Sequence, residues 1–260
     1  MSEKSSSSTR TTSQARARRR RTVWAAVVLV AATAATVALV VTADSESGSD
    51  RSRSETSAEP VPGDSAPAGP DLARRDTDDP LAVGSVDAPV VMVEYSDFQC
   101  PFCGRFARET KQELLSTYVE KGSLRIEWRN FPLFGEESEK AAHAAWAAGR
   151  QGAFWEFHDR LYAEPRERNT GEFTEDKLIA HAKAVGVKDL TRFRRDMDSA
   201  QARQAVDRDR EEGYALGVTS TPAFLVNGTP MLGAQPTATF HEEIRSALSE
   251  SESENEGEAK

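Results

Sequence analysis

The whole chain of 260 residues contains two cysteines, and they stand three positions apart as Cys100 and Cys103 in FQCPFC. A run rich in valine, PVVMVEYSD, ends just before them. The segment after them, GRFARETKQELLSTYVEKG, carries apolar residues at helical spacing. The pattern therefore predicts a strand that runs straight into a helix, with Cys100 at the helix N-terminus. Pro101 suits the first helical position, because its missing N–H would have no partner there.

The rest of the folded part predicts a mixed α/β domain. SLRIEWRNFPL alternates as a second strand, and about residues 136–215 have the pattern of several amphipathic helices. Two short apolar runs, TPAFLVNG and TPMLGAQP, meet at Asn227-Gly228, which is a strong hairpin signal. PTATFHEEIRSALS predicts a last helix. The order β-α-β, helical block, hairpin and helix thus predicts a mixed sheet with a helical insertion.

The N-terminal part predicts one transmembrane helix. Residues 1–22 are basic and end in RARRRR, and the 21 residues from Val23 to Ala43 carry no charge. A helix of that length spans about 32 Å, which suits a bilayer core of about 30 Å. Because the arginines precede the apolar run, residues 1–22 are expected in the cytoplasm and the main domain outside, on a single-pass cell-membrane protein. Cleavage after Ala43, as in an exported protein with a signal peptide, is the alternative.

Two further segments are predicted to be disordered. Residues 44–78 are rich in Ser, Pro, Gly, Asp and Glu, and residues 249–260 form an acidic tail. Residues 79–248 remain as one folded domain. The chain has 33 basic and 42 acidic residues, of which 7 and 1 precede residue 44, so 26 and 41 remain and give a net charge of −15. Nucleic acid is therefore not expected as a partner.

The cysteine pair has three possible uses. A zinc site would need two more ligands, and the four histidines show no paired spacing; His143 and His158 are expected to pack in or beside the core. A structural disulfide closing so small a loop would stabilise little. A redox pair fits best, because a helix N-terminus lowers the pKa of Cys100 and Cys103 lies one turn further in. A redox pair of cysteines needs no metal and no cofactor, and we predict neither.

Four segments in order resemble the DsbA-like branch of the thioredoxin superfamily. They are GSVDAPVVMVEYSDFQCPFCGRF, RNFPL, AAHAAWAAGRQGAFWEFHDRLY, and GVTSTPAFLVNG with GAQP, and the resemblance covers about residues 80–248. It implies a thioredoxin fold with a helical insertion, preceded here by one transmembrane helix and a disordered linker. It also implies Cys100 as the attacking cysteine, Cys103 as the resolving cysteine and Pro222 as a cis proline.

The resemblance further implies the residues that meet a substrate. The backbone of Thr221 is expected to pair with an extended substrate chain as an added strand, and Pro101 and Phe102 are expected to contact it. Glu94 corresponds to the buried acid beneath the cysteine pair, where its pKa would be raised and it could relay the proton of Cys103. An exposed glutamate in the strand is the alternative.

One position departs from the family pattern. Strong oxidases of the family have histidine immediately before the second cysteine, whereas this chain has Phe102. Thiolate stabilisation then rests more on the helix terminus. We therefore expect a redox couple less oxidising than about −120 mV and nearer about −180 mV.

The sequence thus predicts a membrane-anchored, extracytoplasmic thiol-disulfide oxidoreductase. Its expected task is to introduce disulfides into exported proteins with cysteines, after which an unidentified membrane redox partner reoxidises it. A reductase or isomerase supplied by an electron donor is an alternative within the same chemistry. A non-catalytic, tethered peptide-binding module whose CPFC is structural is an alternative of another class.

Overall fold

The structure is a computed structural model that describes residues 72–258. The predicted basic segment 1–22, the predicted membrane helix Val23–Ala43 and most of the predicted linker lie outside the described residues. Within residues 72–258, no helix is both long and apolar enough to cross a membrane.

A five-stranded sheet forms the centre of the domain, in the order β1-β3-β2-β4-β5. Strands β2 and β3 are parallel, and the other neighbours are antiparallel. β2 and β3 are buried along their whole length. β2 is mostly apolar, whereas β3 also buries Arg125, Glu127 and Arg129, which form ion pairs with one another. The strands are β1 Ala82–Val83, β2 Val90–Ser96, β3 Leu124–Asn130, β4 Ala223–Val226 and β5 Thr229–Leu232.

Helix α1 follows β2 and spans residues 101–119 in four consecutive segments. Pro101–Arg105 and Lys111–Leu114 are α-helical, whereas Phe106–Thr110 and Leu115–Val119 are π-helical. Five helices then form the predicted insertion between β3 and β4, and α7 closes the domain. They are α2 Glu136–Gly149, α3 Phe154–Tyr162, α4 Glu175–Ala184, α5 Leu190–Met197, α6 Ala200–Ala215 and α7 Thr237–Glu258.

The predicted hairpin is confirmed. β4 and β5 pair antiparallel with Val226 opposite Thr229, so Asn227 and Gly228 are the two turn residues. Both have positive φ, 44° and 86°, as a tight hairpin turn with matching twist requires. The Asn227 side chain also accepts a hydrogen bond of 2.8 Å from the N–H of Val91, which ties the turn to β2.

The two faces of the sheet differ in chemistry. Met92, Glu94 and Trp128 share one face, because Glu94 is the register partner of Trp128 across β2 and β3. That face packs against aromatic and aliphatic side chains of α1, α3 and α7. The opposite face carries Tyr95 and Glu127, and Glu212 of α6 accepts a hydrogen bond from the Tyr95 hydroxyl at 2.7 Å.

The chain already contacts the domain before the predicted domain start at residue 79. The N–H groups of Arg74 and Arg75 donate to the Glu127 carboxylate at 2.9 and 3.0 Å, and the Arg74 guanidinium donates to Asp209 at 2.8 Å. Both residues belong to the predicted linker 44–78. Its composition conceals these contacts, since their partners lie more than 50 residues away.

The described part of the tail predicted to be disordered, residues 249–258, is helical. Helix α7 continues to Glu258. Its earlier turns are stabilised by the buried side chains of Phe240 and Ile244. Extending an existing helix requires no new nucleation, and glutamate has good helix propensity, so the helix continues into the acidic tail. The Ser251 hydroxyl donates to the Ala247 carbonyl within that extension.

Candidate active site

Cys100 is the N-cap residue of α1, as the sequence predicts. Its backbone is extended, and Pro101 follows at the first helical position. The N–H of Cys103 donates to the Cys100 sulfur at 3.4 Å, and the N–H of Cys100 donates to the Asp97 carbonyl at 2.9 Å. Both cysteines are free thiols, so the structure shows the reduced pair.

The two thiols differ in acidity because Cys103 is the more deeply buried of the two and donates a hydrogen bond to Cys100. A hydrogen bond from the Cys103 thiol, helped by the N–H groups of Cys103 and Phe102 and opposed by burial, lowers the pKa of Cys100 to about 6. Burial, followed by the interaction with Cys100, raises the pKa of Cys103 well above its ordinary value. At neutral pH, Cys100 is therefore largely thiolate while Cys103 keeps its proton.

The turn before β4 faces the Cys100 sulfur. The Thr221–Pro222 peptide bond is cis, as the resemblance implies. The carbonyl oxygen of Thr221 lies 3.2 Å from the Cys100 sulfur and accepts its thiol proton. The Thr221 hydroxyl is buried as well, and Thr221 helps to lower the pKa of Cys100. Pro101 and Phe102 lie at the surface beside this turn, and Phe102 is 53% exposed.

Glu94 is fully buried, so the alternative of an exposed strand glutamate is excluded. Burial raises its pKa to about 7, while a hydrogen bond from Ser96 and the charge of Lys111 oppose the rise. The Ser96 hydroxyl donates to Glu94 Oε1 at 2.8 Å, and Ser96 partly offsets the rise in the pKa of Cys103 that burial causes. Ser96 is therefore a neighbour of both the buried acid and the buried thiol.

A buried lysine stands near this acid. Lys111 is 1% exposed, its ammonium contacts the Asp159 carboxylate, and it lies 3.2 Å from Nδ1 of His158. It also lies 4.7 Å from the centre of the Trp155 ring. Burial, followed by the Lys111 charge, lowers the pKa of His158 to about 3, so this histidine is neutral. The expected packing of His158 in the core is confirmed.

Sequence reasoning missed Ser96 and Lys111. A signal for Ser96 was present, because it stands two residues after Glu94 and hence on the same face of β2. Lys111 gave no signal, since a lysine among charged residues of an amphipathic helix is normally exposed.

The N-cap turn is fixed by Asp97. Its carboxylate accepts hydrogen bonds from the N–H groups of Gln99 and Leu133 and from the Ser138 hydroxyl, at 2.6 to 2.7 Å. These bonds join the turn to the end of β3 and to the first turn of α2. Within the part of the chain that the structure describes, no group of three or more His, Cys, Asp or Glu residues is arranged to hold a metal ion.

The family model described as thioredoxin matches residues 76–246. The chain belongs to the thioredoxin family. Within this family, the probable disulfide bond formation protein D of Bacillus cereus is 32% identical over 150 residues, which are 56% of this chain and 69% of that protein. The Na(+)/H(+) antiporter NhaA 1 of Salinispora arenicola is 35% identical over 167 residues, 64% of this chain but 24% of the antiporter. The chain thus spans about a quarter of the antiporters' length.

Solved structures of the thioredoxin family share this fold. Oxidised BdbD from Bacillus subtilis is 22% identical, with a TM-score of 0.64 over 70% of this chain and 97% of that structure. A thioredoxin-like oxidoreductase from Silicibacter pomeroyi is 27% identical, with a TM-score of 0.57 over 66% of this chain and 93% of that structure. The predicted thioredoxin fold with a helical insertion is confirmed.

Proposed function

We propose that the chain is a membrane-tethered, extracytoplasmic enzyme that oxidises pairs of cysteines in exported proteins to disulfides. The observation that carries the proposal is the contrast between Cys100, with a pKa lowered to about 6, and Cys103, with a pKa raised by burial. The similarity to a probable disulfide bond formation protein supports this direction. In this proposal Val23 to Ala43 is the anchor.

The contrast between the thiols favours oxidation of substrates. Hydrogen bonds that stabilise the Cys100 thiolate stabilise the reduced enzyme relative to its disulfide, and so make the disulfide a better oxidant. A thiolate of low pKa is also a good leaving group. Cys100 is therefore suited to accept a substrate sulfur and then to be released from it.

The first step forms a mixed disulfide. A substrate thiolate attacks the Cys100 sulfur of the Cys100–Cys103 disulfide, the bond between the two enzyme sulfurs breaks, and its electron pair stays on Cys103. The Cys103 thiolate then takes up one proton, because burial disfavours its charge. The backbone of Thr221 holds the substrate chain beside the sulfur in this step.

The second step releases the product. A second substrate thiolate attacks the substrate sulfur of the mixed disulfide, and the Cys100 thiolate leaves. The substrate has then lost two electrons and gained a disulfide, and the enzyme holds both electrons as a dithiol. A membrane redox partner, unidentified, removes them and restores the Cys100–Cys103 disulfide.

Glu94 handles the proton of Cys103 in this scheme. Its pKa of about 7 lets it exist in both protonation states near neutral pH, which suits a group that gives and takes one proton. Ser96 donates to Glu94 at 2.8 Å and also acts on the pKa of Cys103, so it is placed to pass the proton between the two groups. Glu94 thus supplies the proton on reduction and receives it on reoxidation.

The reduction potential tests the direction of electron flow. The full-length chain is purified in detergent and equilibrated with glutathione buffers, and tryptophan fluorescence follows the redox state. A value above about −200 mV supports the proposed oxidase, whereas a value near about −270 mV supports a reductase and contradicts it. Oxidation of a reduced two-cysteine peptide by the wild type, and not by Cys100→Ser, is the matching activity measurement.

A further inference from the structure

A cleft opens directly beside Cys100, between α1 and the loop of residues 163–174 that joins α3 to α4. Cys100, Tyr162, Arg166 and Phe173 are among the residues that line it. Cys100 is 3% exposed, so a substrate that reaches its sulfur also places a neighbouring residue at this cleft. The cleft and the Thr221 carbonyl both border the sulfur.

Arg166 brings an unused hydrogen-bond donor to the cleft. Its Nη1 is buried and has no acceptor among the described residues, and its guanidinium lies 5.5 Å from the centre of the Phe173 ring. The other arginine of the cleft is already engaged, because Arg108 Nη1 donates to the Tyr162 carbonyl at 2.7 Å. A buried donor without an acceptor is destabilising, so Arg166 is prepared for an acceptor that a ligand brings.

The loop that carries Arg166 is fixed relative to Cys100. Gln99, the residue before Cys100, accepts a hydrogen bond of 2.6 Å from the N–H of Asn169. At the other end of the loop, the Glu137 carboxylate accepts from the N–H groups of Gly171 and Phe173 at 2.9 and 3.0 Å. The distance between Arg166 and the reactive sulfur is thus set by the domain and not by the substrate.

The charges around the cleft determine which acceptor fits. Three carboxylates line it, from Glu164, Glu167 and Glu172, against the guanidiniums of Arg108 and Arg166. Glu172 already pairs with Lys177, which lies outside the cleft, at 2.8 Å. With Glu172 paired, Glu164 and Glu167 stand against Arg108 and Arg166, so a substrate carboxylate would add an unbalanced negative charge to the cleft. A neutral amide oxygen accepts from Arg166 without adding charge, while aromatic walls take its methylene groups.

We propose that this cleft is a specificity subsite that takes a neutral amide side chain next to the reacting cysteine of the substrate, hydrogen-bonded to Arg166. The subsite rests on the proposed function, because the substrate must form a mixed disulfide with Cys100. Arg166 is a binding residue here and takes no part in electron or proton transfer.

The test uses a full-length Cys103→Ala variant, which holds a mixed disulfide at Cys100. Its glutathione disulfide is equilibrated with peptides that contain one cysteine flanked on both sides by glutamine, leucine or glutamate. In each exchange the peptide thiol replaces glutathione, which leaves as its thiol, and mass spectrometry gives the equilibrium constant. The glutamine peptide is expected to be favoured over the leucine and glutamate peptides by about tenfold, the size of one hydrogen bond to a charged donor.

Arg166→Leu in the same background is expected to abolish the glutamine preference and to leave the leucine peptide unchanged, which also shows that the variant is folded. The matched control is Arg168→Leu, since Arg168 belongs to the same loop but stacks 3.7 Å from the Phe134 ring centre and does not line the cleft. It is expected to keep the preference. An unchanged glutamine preference in Arg166→Leu, or a preference for glutamate, overturns the subsite. Failure of all three peptides to join Cys100 refutes the proposed function itself.

Discussion

The carbonyl oxygen of Thr221 lies 3.2 Å from the sulfur of Cys100. The two residues are 121 positions apart in the chain, and the contact depends on the fold bringing β4 beside β2. The carbonyl accepts a bond only while Cys100 carries its proton. When Cys100 ionises, this carbonyl is left for a substrate N–H, so thiolate formation and substrate pairing favour each other.

The residue before Cys103 is expected to set the potential. For the wild type we expect about −180 mV, less oxidising than about −120 mV. Phe102→His should raise the potential and lower the pKa of Cys100 below about 6, because a second donor near the sulfur favours the thiolate. Phe102 is 53% exposed, so the fold should tolerate the change. Phe102→Leu is the control, and equal potentials for the two variants would contradict the prediction.

Glu94→Gln should change how stability depends on pH. The folded-state pKa of Glu94 is raised from 4.5 to about 7. The folded form therefore holds a proton that the unfolded chain releases, and stability falls as pH rises from 4.5 to 7. The loss is on the order of 3 kcal/mol. A glutamine side chain does not titrate, so the variant should gain stability relative to the wild type between pH 4.5 and pH 8. Urea unfolding of both proteins at pH 4.5 and pH 8 measures the difference in their free energies of unfolding. The same difference at the two pH values would contradict the prediction.

Charges near Glu94 should move its pKa in opposite directions. Lys111 lowers that pKa and Asp159 raises it. Lys111→Met should therefore raise the pKa of Glu94 above about 7, and Asp159→Asn should lower it. Isotope-edited NMR of the Glu94 carboxyl gives both values. Shifts of the same sign in the two variants would show that altered packing, and not charge, controls the acid.

Arg74→Met should destabilise the domain although Arg74 lies before the predicted domain start. Its guanidinium donates to Asp209, whose side chain is 2% exposed, at 2.8 Å. Removing it leaves a buried carboxylate with one partner fewer. Arg74 is itself 26% exposed, so we expect the free energy of unfolding, measured with urea, to fall by about 1–2 kcal/mol. The control is Arg208→Met, because Arg208 is 65% exposed and lies 4.0 Å from Asp209. Equal effects of the two variants would contradict the prediction.

Local sequence signals predicted the parts of the fold that local chemistry determines. The helix start at Cys100 and the hairpin at Asn227 follow from residues within a few positions of each other. The two-residue strand β1 was not predicted, because Ala82 and Val83 become a strand only by pairing with β3. The contacts of Arg74 were missed for the same reason.

The candidate site shows the same division. Spacing and the resemblance predicted Cys100, Cys103 and Pro222 as candidate residues, whereas the burial of Glu94 could not be predicted from β2 alone, because segments distant in sequence cover both faces of that strand. Lys111 was missed because a π-helical segment ends just before it, and a regular helical period does not predict the side that such a residue faces.

The attachment of Arg74 and Arg75 to Glu127 has a mechanical consequence. Glu127 lies on the face of β3 opposite to Glu94 and its neighbour Trp128. A pull on the chain before Leu72 would load the middle of the sheet through these hydrogen bonds and ion pairs, and would not load the first turn of α1. The dithiol would thus keep its geometry under such a pull, as the proposed membrane anchor requires.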